Sequence, residues 1–398
     1  MQRRRFLRAL SAAGAAPLFP QQQKTYDLLI RNGQVRDPAA AVRRKADVAI
    51  SDGKIAAVEN EIPAAAGRDV IDAQGLFVTP GLVDLHTHCY YGGSGFGVEA
   101  DPIAARSGVT TWVDAGSFGH NQAEGFRRFI VQPAQARIFG FVYLYPSSRN
   151  PDIDVIRYVR QQMKPTGEVV NNNRDILLGI KFQVGSNMNG RYSLDMLRIA
   201  RELCDRYRLP LMAHISFAPP ETDQVMELMR PGDIVTHMYN HHTLGILEPS
   251  GKIKNSVLEA RARGVLFDVG HGLGSFNFES ARKALDAGFL PDTISTDIYE
   301  LNVNGPVYDM PTTLSKMMYL GMSFEDVLVR ATVNAARIVN RIPLLGTLQV
   351  GAPADVALLA IEEGDFALVD SQRNAVRTKQ RIASRLTICR GRRLVKPL

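Results

Sequence analysis

Short apolar stretches alternate with polar loops and amphipathic segments through the middle of the chain. Apolar runs of this length, bounded by turn-forming residues, are typical of strands buried on both faces. Eight such runs follow one another, at residues 82–88, 109–115, 138–145, 177–184, 209–216, 233–239, 264–271 and 293–297. Eight βα units in about 250 residues predict an α/β fold, the (β/α)8 or TIM barrel, and we assign it to residues 81–345.

Two segments between or after these runs have helical signals. Residues 193–207 repeat apolar side chains every three or four positions, which predicts a helix with Leu194, Leu197, Ala200, Leu203 and Cys204 on one face. Ser323 precedes a later amphipathic segment, and Asp326 lies three positions further on. Ser323 is therefore predicted to cap the N-terminus of a helix.

Both ends of the chain carry the alternating pattern of β-strands instead. Asn32-Gly33 and Asp52-Gly53 separate strand-like runs and have the composition of two-residue hairpin turns. Neither terminal segment is long enough to form a domain alone. Residues 24–80 and 346–398 are therefore predicted to combine into one small β-sandwich beside the barrel. The N-terminal strands are predicted at residues 26–30, 47–50 and 54–58.

The first 23 residues are interpreted as a targeting signal and not as part of the fold. Arg3, Arg4 and Arg5 precede Phe6-Leu7 and a mildly apolar stretch that is rich in alanine and glycine. Arg-Arg-x-Phe-Leu resembles the bacterial twin-arginine signal, which directs the export of folded proteins. The sequence therefore predicts a signal peptide at residues 1–23 and a periplasmic or secreted mature protein. An ordinary basic, amphipathic N-terminus is the alternative.

The amino-acid composition limits which kinds of molecule the protein is expected to bind. The chain has 398 residues, 45% of them hydrophobic, which suffices for one large domain and a smaller one. Four of the seven excess positive charges lie in residues 1–23, so the rest carries only +3 and no nucleic-acid partner is predicted. No apolar run reaches the roughly 18–20 residues of a membrane span, so stable membrane insertion is not expected. The predicted partner is a small-molecule substrate, and a homo-oligomer is compatible with the sequence.

The first barrel strand ends in two histidines, His86 and His88. Side chains two positions apart on a strand point to the same face, so both imidazoles can hold one metal ion, with Asp84 on that face as well. A surface histidine pair is the alternative. The active site of a (β/α)8 barrel lies at the C-terminal ends of its strands, where this pair falls.

Four more strand ends carry side chains that suit a metal site. Lys181 interrupts the apolar fourth strand, where an unpaired ammonium is costly. The fifth and sixth strands end in His214 and His237, and the eighth ends in Asp297. Each of these residues alone is more typical of a hydrogen-bonded core. Four histidines, one lysine and one aspartate at the same end of one barrel indicate a metal centre instead.

This ordered set resembles the amidohydrolase superfamily in its binuclear form, and its finer motifs are similar to the dihydroorotase-like deacetylases. The resemblance covers residues 25–398, including the split β-sandwich. The motifs are His86-Thr87-His88-Cys89, Gly179-Ile180-Lys181, His214 with Ala218-Pro219-Pro220, Thr236-His237-Met238-Tyr239-Asn240, Asp268-Val269-Gly270-His271-Gly272 and Ser295-Thr296-Asp297-Ile298-Tyr299.

The resemblance implies a metal-binding role at six positions. His86 and His88 would hold the first of two divalent metal ions together with Asp297. His214 and His237 would hold the second ion. Lys181, carboxylated by carbon dioxide, would bridge both ions, because a carbamate offers oxygen lone pairs and an ammonium offers none. Imidazole and carboxylate suit Zn²⁺ best, and Mn²⁺, Co²⁺ or Fe²⁺ fit the same donors.

The resemblance also implies hydrolysis by water, without a covalent acyl-enzyme. Two metal ions that share a water molecule would make hydroxide available at neutral pH, and Asp297 would carry its proton to the leaving group. The favoured substrate is an N-acyl amino acid, closely followed by an acylated hydroxy acid, because the same attack cleaves an ester. A cyclic amide hydrolase of the dihydroorotase or hydantoinase type is the alternative. A non-catalytic relative is disfavoured because the ligand set is complete.

Other polar residues near the strand ends are weaker candidates. His271, at the end of the seventh strand, is predicted to contact the substrate or to donate to its oxyanion, with a loop-stabilising hydrogen bond as the alternative. Arg149 and Asn187 lie in loops on the same side, where they are predicted to bind a substrate carboxylate. The residues interpreted as structural or exposed are Cys89, His120, His241 and His242.

Overall fold

The computed structural model describes residues 25–144, 154–339 and 345–394, and the predicted signal peptide at residues 1–23 lies outside this part. The strands, in chain order, are β1 (Tyr26–Asp37), β2 (Val42–Ser51), β3 (Lys54–Glu59), β4 (Gly67–Asp72), β5 (Phe77–Pro80), β6 (Leu82–Thr87), β7 (Val109–Ala115), β8 (Arg137–Tyr143), β9 (Leu177–Val184), β10 (Leu211–Ile215), β11 (Ile234–Thr236), β12 (Leu266–Asp268), β13 (Val356–Val369), β14 (Ala375–Cys389) and β15 (Arg392–Arg393). The α-helices are α1 (Ala100–Ser107), α2 (Ala123–Phe126), α3 (Val155–Asn172), α4 (Ser186–Asn189), α5 (Ser193–Tyr207), α6 (Thr222–Leu228), α7 (Asn255–Ala262), α8 (Phe278–Asp286), α9 (Met310–Tyr319), α10 (Phe324–Ala331) and α11 (Val333–Val339).

The parallel strands β6 to β12 lie side by side in chain order and form the barrel wall. Residues 293–298 occupy the eighth position as an extended segment that makes only isolated bridges. Thr293 bridges to Asp268 on one side, and Ile298 bridges to Thr87 on the other, so the ring closes. The predicted fold class, a (β/α)8 barrel with a small β-sandwich domain built from the two chain ends, is confirmed in its barrel and in a separate β-sheet formed by the chain ends.

Several strands end earlier than predicted, and the run at residues 293–297 is not a regular strand. β11 stops at Thr236 and β12 stops at Asp268. The backbone gives the reason, because His237, Gly270 and Asp297 have φ angles of 72°, 49° and 48°. These values lie in the left-handed region, which interrupts the regular pairing of a β-strand. The chain therefore leaves the sheet at His237 and Asp297 and directly before His271.

The two chain ends meet in one eight-stranded sheet of order β15-β14-β13-β5-β1-β2-β3, with β4 paired to β1. The predicted hairpin turn at Asp52-Gly53 is confirmed, since both residues have positive φ and join β2 to β3. The predicted turn at Asn32-Gly33 is wrong, because β1 runs through both residues and carries a bulge there. Gly33 is needed for close approach, since a Cβ at this position would lie 2.2 Å from Val78 Cγ2.

The strands β13 and β14 form a long hairpin whose tip, residues 370–374, reaches the barrel. Ser371 Oγ donates a hydrogen bond to the Gly272 carbonyl at 3.1 Å. Asp370 is fully buried and accepts a backbone N–H of the same loop at 3.2 Å. The hairpin tip thus clamps the loop at residues 271–278, which follows β12 and borders the barrel mouth.

Both helix predictions are confirmed. The helix α5 spans Ser193–Tyr207, and Ser323 caps α10 by accepting the Asp326 N–H at 3.0 Å. Across the described ranges, no helix combines the length and the apolar character that a membrane crossing requires.

Candidate metal centre

The strand ends bring two histidines against one carboxylate oxygen. Asp297 Oδ1 lies 3.3 Å from His86 Nε2 and 3.2 Å from His88 Nε2. Bonds of about 2.0–2.1 Å to a tetrahedral Zn²⁺ place neighbouring ligand atoms roughly 3.3 Å apart. A ligand atom of His237 also lies within 4.8 Å of those of His86 and Asp297. The separations therefore suit atoms that share a metal ion.

A second pair of ring nitrogens converges beside the first. His214 Nδ1, at the end of β10, lies 3.0 Å from His237 Nε2, which directly follows β11. Lys181 Nζ approaches from β9 to 2.9 Å from His86 Nε2 and donates to the Ala115 carbonyl at 3.2 Å. The structure thus brings together all six predicted ligands at one end of the barrel.

The nitrogen and oxygen atoms that converge at Asp297 are suited to binding a cation and not to hydrogen bonding with one another. Asp297 Oδ1 is buried and has no hydrogen-bond donor in the described ranges. The Nδ1 atoms of His86 and His88 contact the hydroxyls of Thr236 and Ser117, each at 2.8 Å. If each Nδ1 carries its proton into that contact, each Nε2 turns a lone pair toward the carboxylate. Two lone pairs and an anionic oxygen repel one another unless a positive ion lies between them.

Burial keeps these side chains in the form that binds metal. It lowers the pKa of His237 to about 4, and it holds the pKa values of His86 and His214 well below the ordinary histidine value. Neutral imidazole is the ligand form of histidine. Burial also lowers the pKa of Lys181 to about 8, although the carboxylates of Asp297 and others oppose the shift. A larger fraction of the Lys181 amine is therefore neutral near pH 7 than for an exposed lysine.

The backbone is strained where the ligands sit. His237 and Asp297 adopt left-handed φ angles of 72° and 48°, which are rare for residues other than glycine. Gly272 lies directly against the site, since a Cβ there would come within 2.4 Å of Asp297 Oδ2. Such strain persists only where the surroundings hold it in place, and it concentrates at functional sites.

His271 is placed differently from the metal ligands. It is fully buried, its Nδ1 contacts the Gly272 carbonyl at 2.8 Å, and its Nε2 contacts Lys316 Nζ at 2.7 Å. Both ring nitrogens are occupied, so this geometry favours the loop-stabilising hydrogen bond over a direct substrate contact. Lys316 was not predicted from the sequence, because it lies on α9 among apolar residues and meets His271 only through the tertiary fold.

The other candidates lie in loops or short helices around the strand ends or outside the described ranges. Asn187 is exposed, and its Oδ1 accepts from Ser216 Oγ at 2.7 Å beyond the end of β10. Arg149 lies outside the described residues, so its predicted contact with a substrate carboxylate stays a prediction. His241 and His242 lie in the surface loop after β11, where the His242 ring stacks on Phe217 at 4.1 Å. Cys89 and His120 are a buried free thiol and a partly buried side chain.

An aromatic wall beside His88 also escaped sequence reasoning. The Phe96 ring centroid lies 4.8 Å from that of His88, and the Tyr299 centroid lies 5.9 Å away. Phe96 is partly exposed and comes from the loop after β6, where periodicity carries no signal. Tyr299 follows Asp297 by two positions and ends the motif at residues 295–299, but no contact with His88 was predicted from it.

Comparison with known proteins identifies the family. A profile of the amidohydrolase family matches residues 77–393, and the chain belongs to that family. A deacetylase of Agrobacterium fabrum is 32% identical over 342 residues, which cover 85% of this chain and 83% of the relative. A deacetylase of Enterococcus faecalis is 33% identical over 371 residues, covering 92% of this chain and 98% of the relative. The predicted family is confirmed.

Solved structures agree on the fold and differ in the reaction named. A structure described as an adenine deaminase is 32% identical with a TM-score of 0.84, over 92% of this chain and 99% of that one. One described as a dihydroorotase is 30% identical with a TM-score of 0.83, over 93% and 98%. Together with the family match, the deacetylase relatives define a hydrolase of small molecules that acts on carbon–nitrogen bonds other than peptide bonds.

Proposed function

We propose that this protein is a binuclear metal-dependent hydrolase that removes the acyl group from an N-acyl amino acid, or cleaves the corresponding ester of a hydroxy acid. One observation carries the proposal. The buried Asp297 Oδ1 has no hydrogen-bond donor in the described ranges and lies within 3.3 Å of the Nε2 atoms of His86 and His88. This arrangement is unfavourable without a cation and favourable with one.

The six residues divide into two ligand sets. His86, His88 and Asp297 would hold one ion, His214 and His237 would hold the other, and Lys181 lies against the first set. When bound, two divalent ions polarise a carbonyl and lower the pKa of a water molecule toward neutrality. Carboxylation of Lys181 is part of the proposal, because a carbamate supplies two anionic oxygens where the free amine supplies none. The lowered pKa of Lys181 favours the neutral amine that reacts with carbon dioxide.

The chain's own groups handle protons and exclude solvent. Asp297 takes the proton of the attacking water and delivers it to the leaving nitrogen or oxygen, a role for which a carboxylate at the site is suited. The neutral histidines keep their lone pairs directed inward. Phe96 and Tyr299 cover the side of His88 and restrict water there, which strengthens the electrostatic interactions inside the site.

Relatives named deacetylases support acyl removal over ring opening. They match 85% and 92% of this chain at 32% and 33% identity. The structure described as a dihydroorotase, at 30% identity, keeps a cyclic amide hydrolase as the alternative. Both reactions begin with attack of water on an amide carbonyl, so the substrate decides between them.

A substrate screen with the Zn²⁺-loaded protein tests the proposal. The panel contains N-acyl-D- and N-acyl-L-amino acids, acylated hydroxy acids, cyclic ureides such as dihydroorotate and hydantoins, and adenine. We expect release of a free carboxylic acid from one of the acyl classes and release about 10²–10⁴-fold slower by the Asp297→Asn protein. Hydrolysis of a cyclic ureide alone would replace the proposal by its alternative, and ammonia release from adenine would replace both.

A further inference from the structure

A buried hydrogen-bond chain leads from His86 away from the metal centre. His86 Nδ1 lies 2.8 Å from Thr236 Oγ1, and Thr236 Oγ1 donates to Asp268 Oδ2 at 2.8 Å. All three side chains are fully buried. Thr236 is the last residue of β11 and Asp268 is the last residue of β12, so the chain crosses two strand ends behind His86.

The direction of the hydrogen bonds follows from counting hydrogens. A threonine hydroxyl has one hydrogen, and Thr236 donates that hydrogen to Asp268. Thr236 Oγ1 can therefore only accept from His86, so the His86 proton is on Nδ1. Asp268 is confirmed as an acceptor by its other contacts, since the hydroxyls of Ser295 and Thr293 also donate to it at 2.6 and 2.7 Å. Ser295 Oγ in turn accepts the Gly270 N–H at 3.1 Å, which leaves its own hydrogen for the carboxylate.

We propose that Thr236 and Asp268 are positioning residues that fix the Nδ1–H tautomer of His86 and thereby hold its Nε2 lone pair toward Asp297 and the metal. The inference rests on the metal centre proposed above. A carboxylate behind a histidine ligand orients the ring and strengthens it as a donor, and here a threonine hydroxyl transmits that effect.

The neighbouring histidines show that His86 is a special case within the described ranges. His88 Nδ1 contacts the Ser117 hydroxyl, and His237 Nδ1 contacts the Gly270 carbonyl at 2.6 Å. Neither contact leads through a hydroxyl to a fully buried carboxylate with three hydroxyl donors. The chain from His86 to Asp268 is therefore expected to set the affinity of the site that contains Asp297.

A purely structural role is the competing explanation, because Asp268 also joins β12 to the irregular eighth segment through Thr293 and Ser295. Two substitutions around Asp268 form a matched test and control. Thr293→Val removes one hydroxyl from Asp268 Oδ1 without touching the histidine side. Thr236→Val removes the hydroxyl on Oδ2 together with the contact to His86, and it preserves the shape of the side chain. Thr236→Ser restores the hydroxyl.

The first readout needs neither metal nor activity. In metal-free protein labelled with ¹⁵N-histidine, long-range ¹H–¹⁵N spectra report the tautomer of each ring, and the His86 signals are assigned by their absence from His86→Ala. We expect Nδ1–H for His86 in the parent, in Thr236→Ser and in Thr293→Val, and loss of that preference in Thr236→Val. An Nε2–H tautomer in the parent would overturn the proposal.

The second readout is the Zn²⁺ dissociation constant, measured by competition with a chelator. Removing a hydrogen-bond partner of a metal ligand typically weakens binding by about 10–100-fold, and we expect this loss for Thr236→Val. Thr236→Ser and Thr293→Val should bind Zn²⁺ about as tightly as the parent. Equal losses in Thr236→Val and Thr293→Val would leave only the structural role. If the parent binds no Zn²⁺, the proposed metal centre is rejected. The tautomer spectra still test whether Thr236 and Asp268 fix the Nδ1–H form of His86.

Discussion

Lys316 Nζ lies 2.7 Å from His271 Nε2, and both side chains are completely buried. The second hydrogen bond of the ammonium goes to the Pro306 carbonyl, also at 2.7 Å. Burial lowers the pKa of Lys316 from 10.5 to about 7, against the opposing charges of Asp370 and Asp309. The pair joins α9 to the loop at residues 271–278. The protonation state of Lys316 therefore affects the hydrogen bond that holds this loop.

This shift gives folding a pH dependence with a definite sign. Between pH 7 and 10.5 the unfolded chain keeps a proton on Lys316 that the folded chain has lost, so stability from this group rises with pH across that window. We predict that Lys316→Met removes this rise, which is on the order of a few kcal/mol over the whole window. The measurement is the difference in urea midpoint between parent and variant at pH 7, 8 and 9.

The matched control for this experiment is Lys252→Met, which removes an exposed lysine. The difference between parent and Lys316→Met should widen in favour of the parent as pH increases, and the difference for Lys252→Met should not. Parallel curves for the two variants would contradict the lowered pKa of Lys316.

Asp297→Asn tests the proton-transfer role. Asparagine has the same shape and cannot accept the proton, so we expect the fold and most of the bound metal to remain while kcat/KM falls by about 10²–10⁴-fold. Metal content by atomic absorption and the rate on the best substrate of the screen are measured on the same preparation. A variant with activity close to that of the parent would remove Asp297 from the role of base.

Lys181→Ala tests the carbamate bridge. The variant lacks the amine that would react with carbon dioxide, so we expect metal content and activity to fall together. Formate, acetate or propionate should restore part of both by placing a carboxylate where the carbamate would lie. A fully active Lys181→Ala protein, or crystallographic density for an active, metal-replete parent in which Lys181 is unmodified, would show that the bridge does not exist.

Export tests the interpretation of the N-terminus, which lies outside the described residues. We predict that replacing Arg3 and Arg4 by lysine retains the protein in the cytoplasm of a bacterial host, because the twin-arginine route depends on the arginine pair. Cell fractionation and immunoblotting provide the measurement, with an unaltered copy as the control. Delivery of the double variant to the periplasm at the normal level would reject the signal.

The convergence of the six proposed ligands was predictable because each of them belongs to an apolar run that is visible in the sequence. His86, Lys181 and His214 lie within strands, and His88 directly follows one, so local pattern and position agree. The ends of the sixth and eighth strands were placed wrongly, since the positive φ angles of His237 and Asp297 depend on the surrounding fold. No periodicity predicts a backbone that departs from the sheet under tertiary constraint.

Contacts between distant segments were the part that sequence reasoning could not supply. Thr236 and Asp268 appeared within motifs, yet the hydrogen bond between them joins two strands. Lys316 lies 45 positions from His271, and its segment has the apolar character of an ordinary packed helix. Asn32-Gly33 carries the composition of a turn, and only the pairing of β1 with β2 shows that it forms a bulge.

The contact between the β13–β14 hairpin tip and the loop at residues 271–278 has a consequence for the order in which the site forms during translation. All six proposed ligands have been synthesised by residue 297, but Ser371, which holds the Gly272 carbonyl, follows 99 positions after that glycine. A nascent chain that ends before the hairpin tip would contain every metal-binding side chain and an unclamped loop. Completion of the site therefore awaits the synthesis of residues 370–374, and a truncation that removes the tip would release the loop at residues 271–278 beside the proposed ligands.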